Sequence, residues 1–404
     1  MATVVAIGTL DTMGAEYGFL RERLLEHGVD VVLVDAGILG EPTTVPDIPR
    51  DEVARAAGDD VERLASAGDR GAAVETMSRG AAAIVERLHQ EGRLDALVGM
   101  GGTGGTALVT HAMQRLPVGV PKLIVSTVAS GDTRPYVGAV DITMMYSVVD
   151  VAGINQISAR IIANAAAAVA GMARATVPEQ IGTRPLIGAS MFGVTTPCVT
   201  KARERLEDTG YEVLVFHQTG TGGQSMEELV RAGFIKGVLD VTTTELCDEL
   251  VGGVLAAHPK RLEVAGAMGV PQVVSLGALD MVNFGPMDTV PEKFRDRTLY
   301  VHNPTVTLMR TTPEECAELG RRVARKLSAA TGPTALFVPL RGVSMIATEG
   351  QPFHDAAADE ALFSAVRENL GPNVELHELD TDINDPTFAL AMADRLIEML
   401  GEEN

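Results

Sequence analysis

The sequence predicts an α/β protein made of two doubly wound, Rossmann-like domains with mostly parallel sheets, and three observations predict it. Short β-branched runs recur along the chain, each followed by a glycine or polar turn and then a helical pattern; that alternation makes parallel strands with crossover helices. The chain has 404 residues, 46% of them hydrophobic, which is more core than one ordinary domain needs. Between two such series lies a stretch with Pro178, Gly182 and Pro185 and no periodicity, which reads as a linker. The expected division is a first domain over residues 1–174, a linker over 175–185 and a second domain over 186–404.

In the first half, strands are expected near residues 3–7, 30–34, 96–99, 122–126 and 142–147. Helical patterns occupy 17–27, 71–90 and 107–115, and residues 40–50, with Pro42, Pro46 and Pro49, read as a surface loop. A helix over 154–172 carries an alanine run, 165–168, small enough to pack closely on a neighbour. In the second half, strands are expected near 186–192, 213–217, 237–241, 272–276, 299–302, 335–339 and 374–379. The helix at 197–208 is well signalled, with Thr196 as cap, Pro197 at the first helical position and Gly210 as stop. A last helix, 387–400, presents Phe388, Leu396 and Leu400 on one apolar face.

Charge and composition exclude several classes of function. Lys and Arg number 33 against 54 Asp and Glu, a net charge of −21, so phosphate backbones and anionic headgroups are repelled: no nucleic acid and no membrane surface is expected as partner. An anionic small molecule is still compatible, because backbone N–H groups and one local cation make a positive pocket within a negative envelope. The first residues run straight into an apolar strand without a basic leader, and no apolar run reaches the roughly 20 residues of a membrane helix. Cys198, Cys247 and Cys316 are odd in number and unpaired in spacing, so neither a disulfide framework nor a zinc ribbon is expected, and a reducing, cytoplasmic setting fits.

The sharpest local signal is Gly99-Met100-Gly101-Gly102-Thr103-Gly104-Gly105-Thr106, directly after an apolar strand and directly before a helix. Glycines let backbone N–H groups approach an anion, and the following helix adds its positive end. The string is neither the Walker sequence nor the spaced dinucleotide fingerprint. It resembles the Gly-Gly-x-Gly-Thr phosphate loop of NAD kinases and phosphofructokinases, with Thr103 where those carry an acidic residue. The first strand ends in a second polar loop with Gly8, Thr9, Asp11 and Thr12. In a strand order of 2-1-3-4-5 the loops after strands one and three face each other at the switch point, where open sheets bind ligands. Asp11 is then a candidate for Mg²⁺ or a ribose hydroxyl, with Thr9 and Thr12 for phosphate oxygens. Strand four adds Ser126, Ser130 and Gly131 to the same rim. Taken singly, each loop is equally explained by strand termination and helix capping.

In the second half, Cys198 near a helix start is a candidate nucleophile or a small buried residue in a capped turn. His217 ends a strand before a glycine-rich turn, 218–225, that can present N–H groups to a carboxylate or oxyanion, while Ser225 and Glu228 have capping-box spacing. Asp240 precedes Thr242 and Glu245, again at capping-box spacing. Asp280, Asn283, His302, Asn303 and Arg310 lie near further strand ends. No catalytic triad follows from order or spacing, and zinc-ligand patterns are absent.

Read together, these stretches resemble one family along nearly the whole chain: the ATP-binding domain family of the tomato mosaic virus resistance protein. The shared strings include Ile7-Gly8-Thr9 with Asp11-Thr12, the 101–106 loop, residues 121–131, 191–198, 237–245, 276–286 and 308–312. The resemblance implies two Rossmann-like subdomains, ATP with Mg²⁺ held by the first, and a homodimer. It places the nucleotide on the 8–12 and 101–106 loops. Met13 stands where the family carries a lysine after the Asp-Thr pair, so that lysine's phosphate contact is missing. The plant protein carries a further barrel-like domain, and a separate barrel-type partner protein is the expected counterpart. The function expected is an ATP- and Mg²⁺-dependent enzyme acting on a small carboxylate or carbonyl metabolite in the interdomain cleft, with His217 and Asp240 as acid–base candidates. The alternative is a non-catalytic, nucleotide-dependent regulatory or partner-binding protein; a plain sugar- or acid-binding module stands third.

Overall fold

The computed structural model describes residues 1–176 and 184–402, so residues 177–183 of the expected linker lie outside the described residues. The chain divides into two compact units between residues 179 and 180.

The N-terminal unit runs β1 (Thr3–Gly8), α1 (Leu10–Glu26), β2 (Asp30–Asp35), α2 (Arg50–Ala56), α3 (Val61–Ala67), α4 (Arg70–Gln90), β3 (Ala96–Gly101), α5 (Thr103–Met113), β4 (Lys122–Ser126), α6 (Arg134–Val137), β5 (Ile142–Tyr146) and α7 (Gln156–Met172). Its five strands form a parallel sheet in the order β2-β1-β3-β4-β5, the order expected from sequence. Successive strand side chains point to opposite faces, and both faces of this sheet are covered. Val5 and Ile7 therefore meet α2, α4 and α5, while Val4 and Ala6 meet α1 and α7. The small residues Ala165 and Ala166 let α7 lie close on its face, as the alanine run predicts.

Two glycine-rich segments differ from the sequence reading. Helix α1 begins at Leu10, with a local distortion at Met13, and α5 begins at Thr103. Asp11 and Thr12, and Thr103 to Thr106, are thus first-turn helical residues, and a single residue, Thr9 or Gly102, forms each connection. The short helices α2 and α3 carry too few residues for a periodic signal and were not expected.

Tyr17 of α1 fixes the two central strands at the end where the crevice opens. Its hydroxyl donates to the Ile7 carbonyl at 2.5 Å and accepts from the Met100 N–H at 2.8 Å. Gly8 makes room for this: a Cβ there would lie 2.1 Å from the Tyr17 ring. Tyr17→Phe leaves the buried Met100 N–H without its hydroxyl partner, and an expected loss of about 1–3 kcal/mol follows. Urea unfolding monitored by far-UV circular dichroism checks it, since the chain has no tryptophan; an unchanged midpoint contradicts the assignment.

The C-terminal unit runs β6 (Leu186–Met191), α8 (Thr196–Asp208), β7 (Glu212–His217), α9 (Gly222–Arg231), β8 (Ile235–Thr242), α10 (Glu245–Val251), α11 (Val264–Ala267), β9 (Gln272–Gly277), β10 (Met281–Phe284), β11 (Leu299–Asn303), β12 (Val306–Arg310), α12 (Pro313–Ser328), β13 (Thr334–Pro339), α13 (Ala356–Asn369), β14 (Glu375–Leu379) and α14 (Pro386–Glu402). Six strands make a parallel sheet ordered β14-β13-β9-β8-β6-β7. Helices α8 and α14 cover one face through Ile187, Leu239 and Phe337; α10, α12 and α13 pack on Val274, Leu276 and Leu336 of the other.

The strand expected at 299–302 is present but belongs elsewhere. As β11 it pairs antiparallel with β12 in a small three-stranded sheet, β10-β12-β11. The turn from Asn303 to Val306 is too short for a crossover, so the two strands must run antiparallel. Neither expected capping box forms: Ser225 falls inside α9, and α10 follows Thr244, whose side chain makes no cap bond. Among the described residues no helix is long and apolar enough to cross a membrane.

Candidate functional site

At the carboxyl edge of the first sheet, β1 continues into α1 on one face and β3 into α5 on the other, which opens a crevice between neighbouring strands. A cavity of about 390 Å³ lies there, within the N-terminal unit. One part of its lining is polar: Thr9, Asp11 and Thr12 from the first turn of α1, Gly104 and Gly105 from that of α5, and Asp69 and Arg70 at the start of α4. The other part is aliphatic, with Leu39, Leu64, Val74, Met77 and Leu108.

The start of α5 has no side chain to cap it. Gly102 is its N-cap, and the first helical bond of the turn is Thr106 N–H to the Gly102 carbonyl at 2.8 Å. The N–H groups of Thr103, Gly104 and Gly105 precede that bond and have no partner within the helix. A Cβ at Gly104 would meet only Arg70 Nη2, at 3.7 Å, so this glycine faces open space beside the guanidinium. Arg70 is exposed and makes no ion pair among the described residues. It was missed in the sequence because it lies some thirty residues before the loop it faces; only Asp69, whose carboxylate accepts the Ala72 N–H and caps α4, marked that helix start.

Of the residues expected to bind a nucleotide, Thr9, Asp11, Thr12, Gly104 and Gly105 line the cavity. Others serve the fold. Gly8 admits Tyr17, and a Cβ at Gly101 would press on Gly105 at 2.9 Å. The buried hydroxyls of Thr106 and Ser126 bond each other at 2.7 Å, and Ser126 also accepts the Val128 N–H. Ser130 and Gly131 sit in an exposed turn, and these two, Gly102 and Thr103 lie outside the cavity lining.

Asp11, expected as a metal ligand, has one oxygen engaged by the fold. Its Oδ2 accepts the N–H groups of Ile38 at 3.1 Å, Leu39 at 2.8 Å and Gly40 at 3.4 Å, clamping the segment after β2. Its Oδ1 is enclosed without a hydrogen-bond partner. Among the described residues no group of three or more His, Cys, Asp or Glu is placed to hold a metal.

In the C-terminal unit, His217 and Asp240 are not brought together. His217 is exposed and packs against Phe192, the rings tilted by 32° with centres 5.4 Å apart. Asp240 is buried: its Oδ1 accepts from Ser190 at 2.6 Å and Arg261 Nη2 at 2.7 Å, its Oδ2 from Arg261 Nη1 at 2.5 Å. A carboxylate so saturated and shut from solvent holds structure and exchanges no proton with a ligand. The N–H groups expected to receive a carboxylate from the glycine-rich turn do so, but from the chain itself: Gly220 and Gly223 donate to Glu245 Oε1 at 2.8 and 3.4 Å. Arg261 also contacts Glu245 at 3.1 Å and Glu227 at 3.6 Å, so three acidic side chains surround one buried guanidinium. Burial opposes the charge on Arg261, and Asp240, Glu227 and Glu245 more than restore it.

Cys198 is fully buried, which pushes its thiol up to about 12 and removes it as a nucleophile. Asp280 and Arg310 share a buried group in which Ser344 donates to Asp280 at 2.8 Å and Arg310 to Asp359 at 2.6 Å. Asn283 instead joins Asp248, at 3.1 Å, and His302 and Asn303 are exposed on β11.

Comparison with known proteins covers both units. Residues 2–178 match the N-terminal domain and residues 184–400 the C-terminal domain of the family described as "Uncharacterised protein family (UPF0261)". A UPF0261 protein of Clostridium tetani is 53% identical over 398 residues, 98% of either chain. The ToMV resistance protein Tm-1(GCR237) of Solanum lycopersicum is 39% identical over 418 residues, which cover 98% of this chain and 55% of the plant protein. A solved structure described as "S. aureus MnaA-UDP co-structure" aligns with 100% of this chain and 97% of its own at 11% identity and a TM-score of 0.23, a likeness too slight to bear on function.

Proposed function

This chain belongs to the UPF0261 family, and from that premise we propose that its N-terminal unit is an ATP-binding module, with the triphosphate on the first turn of α5 and beside Arg70, and the nucleoside along the aliphatic wall. One observation carries the reading: the cavity at the β1/β3 switch point joins an uncapped helix N-terminus and an unpaired guanidinium to an apolar wall, the two chemistries an amphipathic phosphate ester needs. Mg²⁺ fits as a cation brought in on the phosphates, since Asp11 Oδ2 is held by the Ile38, Leu39 and Gly40 N–H groups.

Calorimetric titration with Mg-ATP tests the reading. Saturable binding is expected, and Gly104→Trp, which fills open space without touching the core, is expected to abolish it while the fold persists by circular dichroism. Arg70→Ala is expected to weaken binding about ten- to hundredfold, the loss of one charge-assisted contact. No binding at millimolar ATP sinks the proposal.

For the protein as a whole we propose an ATP-coupled step on a small carboxylate or carbonyl metabolite, in a cytoplasmic protein whose three cysteines are free and buried. The burial of Asp240 and Cys198 favours a second reading, in which ATP stabilises one arrangement of a regulatory or partner-binding protein and no chemistry occurs. The homodimer and a separate barrel-type partner belong to either reading. ADP that accumulates only when a metabolite mixture is added supports the enzyme; none under any mixture supports the regulator.

A further inference from the structure

We infer that this cavity reads the polyphosphate and not the nucleoside, so that ATP, GTP and dATP are ligands of similar affinity; the inference rests on the nucleotide reading above.

Five polar side chains line the cavity, and four of them already make hydrogen bonds within the protein. The hydroxyls of Thr9 and Thr12 bond each other at 2.8 Å. The Asp69 carboxylate caps α4 at 3.0 Å from the Ala72 nitrogen. Asp11 holds the 38–40 backbone with one oxygen, and its other oxygen is enclosed. Arg70 alone among them has no partner in the described structure, and a guanidinium recognises phosphate, not a base edge beside an aliphatic wall.

Sugar recognition is closed in the same way. In dinucleotide folds a carboxylate near the end of the second strand binds the ribose hydroxyls. Here that carboxylate is Asp35, the last residue of β2, and it is fully buried. Its Oδ1 accepts the N–H groups of Leu10 at 3.1 Å and Gly37 at 2.9 Å, and its Oδ2 accepts Arg50 Nε at 2.8 Å. The carboxylate at the end of β2 is therefore not free to tell ribose from deoxyribose.

The wall against which a base would lie, Leu39, Leu64, Val74, Met77 and Leu108, has no side-chain hydrogen-bonding atom and no aromatic ring. Strong discrimination arises when a wrong ligand leaves a buried polar group unpaired; an apolar wall rejects a similar shape only weakly. What remains selective is charge, through Arg70 and the α5 N–H groups.

The test is calorimetric titration of the full chain with Mg-ATP, Mg-GTP, Mg-dATP and Mg-tripolyphosphate, repeated with Arg70→Ala. The three nucleotides are expected to bind within about tenfold of one another, the range an apolar wall permits. Tripolyphosphate is expected to displace ATP, and Arg70→Ala to weaken all three nucleotides by a common factor. Saturable ATP binding with GTP or dATP weaker by about a hundredfold or more overturns the inference and leaves the nucleotide site standing, since that ratio needs hydrogen-bonded readout. Binding by none of the four overturns both.

Discussion

Arg261→Met is expected to destabilise the C-terminal unit by about 3–5 kcal/mol, the cost of removing one partner from a buried ionic group. Methionine keeps the length and apolar stem of the side chain, so the loss isolates the charge. Asp240, Glu245 and Glu227 come from β8, α10 and α9, and all three are buried against this one cation. Without it they must be protonated or hydrated, and either opens the packing between those elements. The Gly220 and Gly223 N–H bonds to Glu245 are expected to loosen with them, since the carboxylate loses its counter-charge. Hydrogen exchange followed peptide by peptide reads this directly: protection over 217–263 should collapse. Unchanged protection at neutral pH would remove Arg261 from its central place.

Stability of the same unit is expected to fall as pH rises from about 5 to 8. Three buried carboxyls sit well above their ordinary range: Glu227 and Asp248 at about 7 and Asp280 at about 6, each raised first by burial. Arg261 and the Leu262 N–H pull Glu227 down, Asp240 pushes it up; Asn283 and Leu255 lower Asp248, Glu245 raises it; Arg310 and Ser344 lower Asp280, Asp359 raises it. In the unfolded chain all three titrate near 4, so between roughly pH 4 and 7 the folded unit holds protons that the unfolded chain has released. Their contribution is fully present below the unfolded value and is lost as pH rises through the folded values. Each is worth on the order of 3–4 kcal/mol. The net charge of −21 acts in the same direction through self-repulsion, so the discriminating measurement is Glu227→Gln. Its urea midpoint should fall less steeply with pH than that of the unaltered chain; an equal slope means that Glu227 does not titrate in this window.

Much of this architecture was legible because it depends on local pattern. Alternating β-branched runs and helical periods marked every strand of both parallel sheets, and the glycine strings marked the two strand ends that meet at the switch point. The hairpin of β11 and β12 was missed, although Asn303-Pro304 marks a turn inside the run from Leu299 to Arg310. The duties of individual polar residues were not legible. Gly8 and Asp11 stand in the expected loop, yet one makes room for a tyrosine ring and the other clamps a backbone segment nearly thirty residues on.

The sequence by itself determined where the strands of both parallel sheets and the long helices lie, because hydrophobic period and caps act over a few residues at a time. Only the tertiary structure decided which polar groups are free. A hydrogen-bonding side chain is available to a ligand when nothing else in the fold has satisfied it, and its partner is set by distance in space: Asp35 is spent on Arg50, Asp240 on Arg261, and Arg70 is left beside Gly104.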